Sequence, residues 1–306
     1  MFRKSLVAAC LVLTFGTATF GQVKLERKMH EGKSYTVEVS AKIDQKLTIA
    51  GMETDTSSDT RSTVKATSGK RDVGGMLRVQ EKVESLNINM VVMGQNYSFD
   101  SAAPDAKGTS PLEALRDIHK ALARRISTTV YDKDNRVYAV ESDQDVLSSL
   151  PEELQKIAKS QLDPANLKKA ANQQLDQLTA EPVNKGDSWQ RSESVNFGAG
   201  QVMTFQNKYT YEGTIEKDGK KLERITTKAT SVTFALEDSP LPFTLKGSDL
   251  KTEESEGVML FDRELGQVVE STSSVRITGE ITFVFNNMDL PSKLDLKITA
   301  GVVVKR

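Results

Sequence analysis

The chain contains only two histidines, and their positions limit the catalytic chemistry that it can perform. Nucleophilic catalysis needs an activated serine, threonine or cysteine beside a base, and that base is most often histidine. His30 lies in a charged stretch near the N-terminus, where we expect a surface residue. His119 follows Ile118 at the edge of a helical apolar stripe, where we expect a boundary residue. Because no Gly-x-Ser-x-Gly elbow accompanies them, we expect no catalytic residues and a protein that is not an enzyme.

Clustered carboxylates could hydrolyse glycosides without histidine, and Glu253, Glu254 and Glu256 form such a cluster. They precede Gly257 in a stretch rich in lysine, threonine and glutamate, which indicates a solvated loop. Trp189 is the sole tryptophan, and its place in Gly-Asp-Ser-Trp favours a structural anchor over a ligand platform. A hydrolase that works without histidine is therefore the least favoured of the functions considered below.

Two further motifs resemble metal or nucleotide sites without completing them. Asp132–Asn135 begins like a calcium loop but lacks its glycine and closing glutamate, so a tight turn explains it better. Phe197–Gly200 lacks the third glycine of a nucleotide fingerprint and indicates a loop or bulge. The two histidines, about ninety residues apart and without a cysteine pair, cannot form a typical zinc site. We expect no metal and no cofactor.

The first 21 residues have the composition of an export signal. Arg3 and Lys4 are followed by the apolar run Leu6–Phe15, and small uncharged residues then lead to Gly21. The run is about ten residues long, against the roughly twenty that a membrane-spanning helix needs. Lipid attachment at Cys10 is disfavoured because the apolar run continues past it. We expect cleavage near Gly21, no transmembrane span in the mature chain, and a periplasmic or extracellular protein.

Cleavage at that position would also remove the sole cysteine, Cys10. A thiol-free mature chain excludes disulfides, cysteine nucleophiles and cysteine metal ligands together. Loss of Arg3 and Lys4 leaves 39 of the 41 basic side chains against 42 acidic ones, with no basic block. This charge distribution argues against nucleic acid as a partner.

Period-two alternation of apolar and polar residues predicts a chain built mainly from strands. The longest patterns are Val275–Phe285 and Leu294–Val304, and Tyr35–Ile43 alternates in the same way. Near Ser85 the alternation changes phase, which predicts a turn or a β-bulge. Lys217–Lys220 has the composition of a tight hairpin turn.

Helical signals lie between the two β-rich parts of the chain. Ser110–Glu113 forms a capping box with proline at the first helical position. A short hairpin should follow, and then a connector in which Pro151 begins one helix and Asp163 caps another. We read the apolar stripes of these helices as surfaces that pack on the sheets.

Together these patterns predict an α+β chain that is mainly β. We expect two antiparallel sheets, curved like half-barrels and joined by a helical connector. The expected divisions are a signal peptide (1–21), an N-terminal β-rich half with one helix (22–142), a helical connector (143–182) and a C-terminal antiparallel β-rich half (183–306).

Glu31–Tyr35 and Lys185–Trp189 open the two halves with similar residues, which indicates either duplication of one β-unit or chance similarity between hairpins. A further hairpin is expected at Leu265-Gly266, after Phe261-Asp262. Together with the exported start, Pro182–Trp189 and this late hairpin resemble a family of exported bacterial proteins of unknown function. The resemblance implies secretion and a β-rich fold, and it supplies no catalytic residues.

Three functions are compatible with the sequence. The leading hypothesis is a noncatalytic exported protein that binds a lipid or other hydrophobic ligand on an apolar sheet face. The second is a structural or protein-interaction module of the cell envelope, so the expected partner is a lipid or an envelope protein. The third is the hydrolase considered above. The candidate ligand-binding face consists of Ile277, Ile281, Phe283, Phe285 and Trp189.

Overall fold

The computed structural model describes residues 22–104, 111–142, 148, 150–152, 154–155 and 162–306. The expected signal peptide with Cys10, the capping residue Ser110 and much of the helical connector lie outside the described residues.

Strands make up most of the described chain. They are β1 (Ser34–Ile49), β2 (Met52–Ser68), β3 (Leu77–Val92), β4 (Gln95–Asp100), β5 (Ile126–Tyr131), β6 (Val137–Ser142), β7 (Ser188–Gly198), β8 (Gln201–Lys217), β9 (Lys220–Leu236), β10 (Thr244–Asp262), β11 (Gln267–Phe285) and β12 (Met288–Lys305). A 3₁₀ turn (Pro111–Ala114) leads into helix α1 (Leu115–Ala123), and helix α2 (Pro164–Asp176) precedes β7. Among the described residues, no helix is both long and apolar enough to cross a membrane.

All the strands belong to one antiparallel sheet that is not closed. Its order is β6-β5-β3-β2-β1-β12-β11-β10-β9-β8-β7, with β4 paired to β3. The expectation of a mainly β fold is confirmed, but the expectation of two separate half-barrel sheets is wrong. The last strand returns to pair with the first, and Ala41 lies opposite Ala300 in that pairing. The pairing protects the exposed edges that two separate sheets would have left at β1 and β12.

Helix α2 lies against both edge strands of the sheet. The backbone N–H of Val137 on β6 donates to Oδ1 of Asn172 at 3.1 Å, and Nδ2 of Asn172 donates to the Val137 carbonyl at 3.0 Å. At the other edge, Nε of Arg191 on β7 donates to the carbonyl of Asp176 at 2.5 Å. The helix thereby satisfies backbone groups of the β6 edge, and its contacts with both strands hold β6 and β7 near each other.

The N-terminal segment 22–31 crosses one end of the curved sheet. Val23 and Val183 exchange two backbone hydrogen bonds of 2.8 Å, and the N–H of Lys28 donates to the Gly266 carbonyl at 3.0 Å. Leu25 is buried between them. Gly266 has a φ of +60°, and a Cβ there would lie 2.5 Å from the Lys28 nitrogen, so this close approach requires glycine.

Several local expectations are confirmed. Asp218 and Gly219 both have positive φ, which makes the β8–β9 connection a type I′ turn. A register shift in the β2–β3 pairing places the extra residue at Glu84, beside Ser85 where the alternation changes phase. The Asp163 carboxylate caps α2 by accepting from the N–H groups of the second and third residues after it, at 2.8 and 3.2 Å.

The stretch containing Glu253, Glu254 and Glu256 is a strand rather than the expected loop. It lies in the middle of β10, with the three carboxylates exposed. A register shift between Thr252 and Glu254 interrupts the alternation there. An interrupted strand with solvated side chains has the same composition as a loop, which explains the wrong prediction.

Two apolar cores lie at opposite ends of the β7–β12 part of the inner face, which we define as the face that carries Ile277. Smaller clusters around Leu86 and Leu77 cover the β2–β5 part of the same face. The upper core contains Met203, Phe205, Ala229, Val232, Phe234, Ile277, Ile281, Phe283, Leu294 and Leu296. The lower core contains Leu25, Leu178, Val183, Tyr209, Tyr211, Ile225, Met259 and Phe261. The middle of the inner face lies between them.

Candidate ligand site

A cavity of about 530 Å³ lies between the two cores on the inner face. Its lining comes from β1, from β7 to β12 and from Gln177, which follows α2. Ala41 and Ile43 of β1 line it together with Val195 and Phe197 of β7, although these strands are the two ends of a run of seven in the sheet order. The run must therefore curl around the cavity, which opens to solvent at Val195, a side chain that is 43% exposed.

The floor of the cavity is a row of small residues that continues from strand to strand. Ala41 pairs with Ala300, Ala300 with Ser273, Ser273 with Gly257, and Gly257 with Thr227. Side chains on paired positions share one face of a sheet. Since protein interiors are otherwise closely packed, five small residues in one row leave an unfilled space between two cores of large side chains.

An adjacent row forms the apolar wall. Ile43 pairs with Ile298, and Ile298 pairs with Val275. Phe197 and Phe205 extend this wall on β7 and β8. The arrangement is suited to an apolar ligand, because such a ligand would displace water from carbon-rich surface.

The β7 side of the cavity carries a connected polar group. The Tyr209 hydroxyl donates to Oε1 of Glu193, and Nε2 of Gln177 donates to Oε2 of the same carboxylate at 3.0 Å. The indole N–H of Trp189 donates to the Gln177 carbonyl at 2.7 Å. Burial, together with the neighbouring Glu193 carboxylate, raises the pKa of Tyr209, so this phenol stays protonated and keeps donating.

One charged side chain among the described residues faces the cavity, and it is negative. Glu193 is that side chain, whereas the carboxylate of the exposed Glu256 lies on the outer face of β10, where Glu256 pairs with Ser274. The described lining contains no lysine, arginine or histidine. Hydroxyl groups from Thr227, Ser255 and Ser273 also line it. The Ser255 hydroxyl oxygen accepts from the N–H of Ala229 at 2.7 Å, which fixes that side chain where β9 and β10 separate.

The sequence profile of a family of unknown function, DUF6263, matches residues 74–248, more than half of the chain. The chain belongs to the DUF6263 family. The matched residues of this DUF6263 protein include Glu193 and Tyr209 and end before β11 and β12. The expected resemblance to a family of unknown function is thus confirmed at that level. No curated protein matches the sequence.

Solved structures share only distant similarity with the DUF6263 protein. Lipovitellin, described for its lipid–protein interactions, aligns with a TM-score of 0.47 and 11% identity over 91% of this chain and 26% of its own. The chain therefore spans about a quarter of the lipovitellin chain. DynF, from the dynemicin pathway of Micromonospora chersina, aligns with a TM-score of 0.19 and 9% identity over 95% of this chain and 92% of its own. OccK5 (OpdH) of Pseudomonas aeruginosa aligns with a TM-score of 0.21 and 7% identity over 89% of this chain and 98% of its own. At these scores the likenesses carry no functional argument.

The sequence-predicted face lies beside the cavity of the DUF6263 protein. Ile277, Ile281 and Phe283 are buried in the upper core, with exposed fractions of 0, 3 and 7%. Phe285 is half-buried near the end of β11. Trp189 is half-buried and stacks on Tyr209, which itself lines the cavity. These five are not among the described residues that form the lining.

Sequence reasoning missed the row of small residues and Glu193. A weak signal exists, because Ala41 interrupts the larger apolar residues Val39 and Ile43, and Ala300 interrupts the strand in the same way. Only the sheet order shows that these interruptions are neighbours. No alternation pattern indicates that Glu193 faces inward beside them.

The two histidines lie outside the cavity lining. His30 is half-buried rather than at the surface, with Nε2 2.8 Å from the Leu265 carbonyl oxygen. His119 occupies the expected boundary position on α1, and its Nδ1 is 2.7 Å from the Tyr97 hydroxyl. Its ring lies 5.3 Å from that of Tyr97 and 5.7 Å from that of Phe99. Burial, assisted by Arg116, lowers the pKa of His119 to about 4, so it is neutral at pH 7.

The remaining motifs form turns. Oδ1 of Asp132 accepts from the N–H groups of Asp134 and Arg136, each at 2.9 Å. Gly198 and Gly200 both have positive φ in the β7–β8 connection. Over the described part of the chain, no group of three or more His, Cys, Asp or Glu side chains could hold a metal ion.

Proposed function

We propose that the protein is a noncatalytic, exported binding protein that holds a single-chain hydrophobic ligand in the cavity. The observation that carries the proposal is the space of about 530 Å³ between two closed cores, enclosed by strands of one curled sheet. Its volume falls within the range of about 300–1,000 Å³ typical of small-molecule sites. The first 21 residues supply the argument for export.

The lining favours an alkyl or acyl chain over a compact polar metabolite. Ile43, Val275 and Ile298 make a continuous aliphatic wall across three strands, and Phe205 adds an aromatic side chain. Burying one methylene group gains about 0.8 kcal/mol. Affinity should therefore increase steeply with chain length until the cavity is full.

A pair of substitutions on one strand tests the proposal. Ala300 faces the cavity, whereas Thr299 is exposed on the opposite face of β12. Ala300→Leu should fill the floor and weaken binding of the neutral fluorescent probe N-phenyl-1-naphthylamine by about tenfold or more. Thr299→Leu adds apolar surface outside the cavity and should leave binding within about twofold of the parent protein.

The same probe allows an alcohol series to be compared by displacement. Octanol, decanol and dodecanol should displace it at decreasing concentrations, by roughly tenfold for each two methylenes. Equal affinities along the series, or equal binding by the two leucine variants, would contradict a ligand in this cavity.

Native mass spectrometry of protein purified from its own periplasm or medium should show a bound lipid and should also locate the mature N-terminus. A ligand-free mass would favour the envelope-module hypothesis instead.

A further inference from the structure

The charge of Glu193 restricts the head of the ligand. Glu193 faces the cavity on the β7 side, where its bonds from Tyr209 and Gln177 fix it. A ligand carboxylate or phosphate in this space would meet a charge of its own sign, in half-buried surroundings where water screens that charge less than in bulk solvent.

The nearest arginine on β7 is held by other partners. Nε of Arg191 donates to the carbonyl of Asp176 at 2.5 Å, and its terminal nitrogens donate to the carbonyls of Gln190 at 2.8 Å and Leu178 at 3.4 Å. These bonds direct the guanidinium towards the end of α2, and Arg191 is not part of the cavity lining. An anionic head would therefore lack a cationic partner in the described lining.

The polar groups that do line the cavity suit a hydroxyl head. Each carboxylate oxygen can accept more than one hydrogen bond, so Glu193 can accept from a ligand hydroxyl in addition to its present donors. The hydroxyls of Ser273 on β11 and Thr227 on β9 lie on either side of Gly257 of β10 in the floor, and each can donate or accept.

Building on the proposed function, we infer that the cavity selects a single-chain lipid with an uncharged, hydroxyl-bearing head and discriminates against one with a carboxylate head. The apolar wall takes the chain, Glu193 and the hydroxyls of the floor take the head, and the charge of Glu193 disfavours anions.

Decanol and sodium decanoate, compared at pH 7.5 as competitors of N-phenyl-1-naphthylamine, test this inference. Decanol should displace the probe at a concentration about tenfold or more below that of decanoate. Because the alcohol is also the more apolar compound, the decisive quantity is how the ratio of the two affinities changes in variants. Glu193→Gln should strengthen decanoate binding about tenfold and change decanol binding less than about threefold.

Two more variants complete the experiment. Glu256→Gln removes an exposed carboxylate on the outer face of β10, behind the cavity floor, and it should leave the ratio unchanged. Glu216→Gln removes an exposed carboxylate of β8 outside the cavity lining and should leave the ratio unchanged. If both compounds displaced the probe and the ratio of decanol affinity to decanoate affinity were the same in the parent protein and the three variants, the head-group inference alone would be overturned. No displacement by either compound in any protein would overturn the binding function together with this inference.

Discussion

The indole ring of Trp189 lies nearly parallel to the phenol ring of Tyr209, with the ring centroids 5.8 Å apart and 10° between the planes. Tyr209 lines the cavity, and Trp189 is the sole tryptophan of the chain. The indole N–H is also bonded to the carbonyl of Gln177, another lining residue. Trp189 therefore contacts two residues of the cavity lining without lining the cavity itself.

Decanol should change the fluorescence of Trp189 in a saturable way. The ligand replaces water next to Tyr209 and Gln177, so the surroundings of the indole change even though Trp189 does not line the cavity. The half-saturation concentration should agree within about twofold with that from probe displacement. In Ala300→Leu the change should be lost, and a linear, non-saturating response in the parent protein would contradict this coupling.

The individual strands are predictable because each has one buried face and one solvated face. This holds for β11 and β12, whose alternation is regular, and for the bulge beside Ser85, where the phase of alternation changes. The sheet partners are not predictable in this way, since alternation does not indicate which strand lies next to which. The pairing of Ala41 with Ala300 joins opposite ends of the chain and converts two expected sheets into one.

The candidate site could not be predicted from the sequence for the same reason. A cluster of large apolar residues such as Ile277 and Phe283 is easy to recognise, but large residues fill space and form the core. A cavity arises where small residues coincide on adjacent strands, as Ser273 and Gly257 do. That coincidence depends on the register of several pairs, which no local sequence pattern determines.

Asn172→Leu should destabilise the contact between α2 and the sheet edge. The substitution keeps the branched shape of the side chain but removes both hydrogen bonds to the backbone of Val137, whose side chain is buried. We expect a loss of about 1–2 kcal/mol in the free energy of unfolding, measured with urea. Lys169→Leu on the exposed side of α2 is the control and should change stability by less than about 0.5 kcal/mol.

Amide hydrogen exchange tests the contact between Asn172 and Val137 independently. The Val137 amide should exchange faster in Asn172→Leu than in the parent protein, because its acceptor has been removed. Unchanged protection at this amide would show that Asn172 does not stabilise the β6 edge.

His119 should make the protein less stable as the pH falls below about 6.5. Its pKa is lowered to about 4 in the fold from an ordinary value of 6.5, so between these values the unfolded chain binds a proton that the folded chain does not. Its contribution to stability is complete above pH 6.5 and is lost as the pH falls towards 4, by about 3 kcal/mol at pH 4. A protonated ring also cannot accept a hydrogen bond from the Tyr97 hydroxyl at Nδ1.

The measurement compares urea unfolding of the parent protein with that of His119→Asn between pH 4 and 8. Subtracting the two curves isolates His119 from Glu81, whose pKa is raised by burial and which therefore changes stability in the opposite direction. The difference in unfolding free energy should be largest above pH 6.5 and should shrink towards pH 4. A difference that is constant over this range would contradict a lowered pKa.

Gly279→Ala should strongly destabilise the sheet where β10 crosses close to β11. Gly279 has a φ of +147°, and a Cβ there would lie 2.1 Å from the carbonyl oxygen of Asp249 and 2.9 Å from Cα of Leu250. Both contacts are with backbone atoms, so β10 itself would have to move to accommodate the methyl group. We expect the free energy of unfolding, measured with urea, to fall by more than about 3 kcal/mol. Gly247→Ala is the matched control in the same strand pair, because a Cβ at Gly247 meets nothing within 4 Å. If the two alanine variants unfolded at the same urea concentration, the close approach at Gly279 would not constrain the fold.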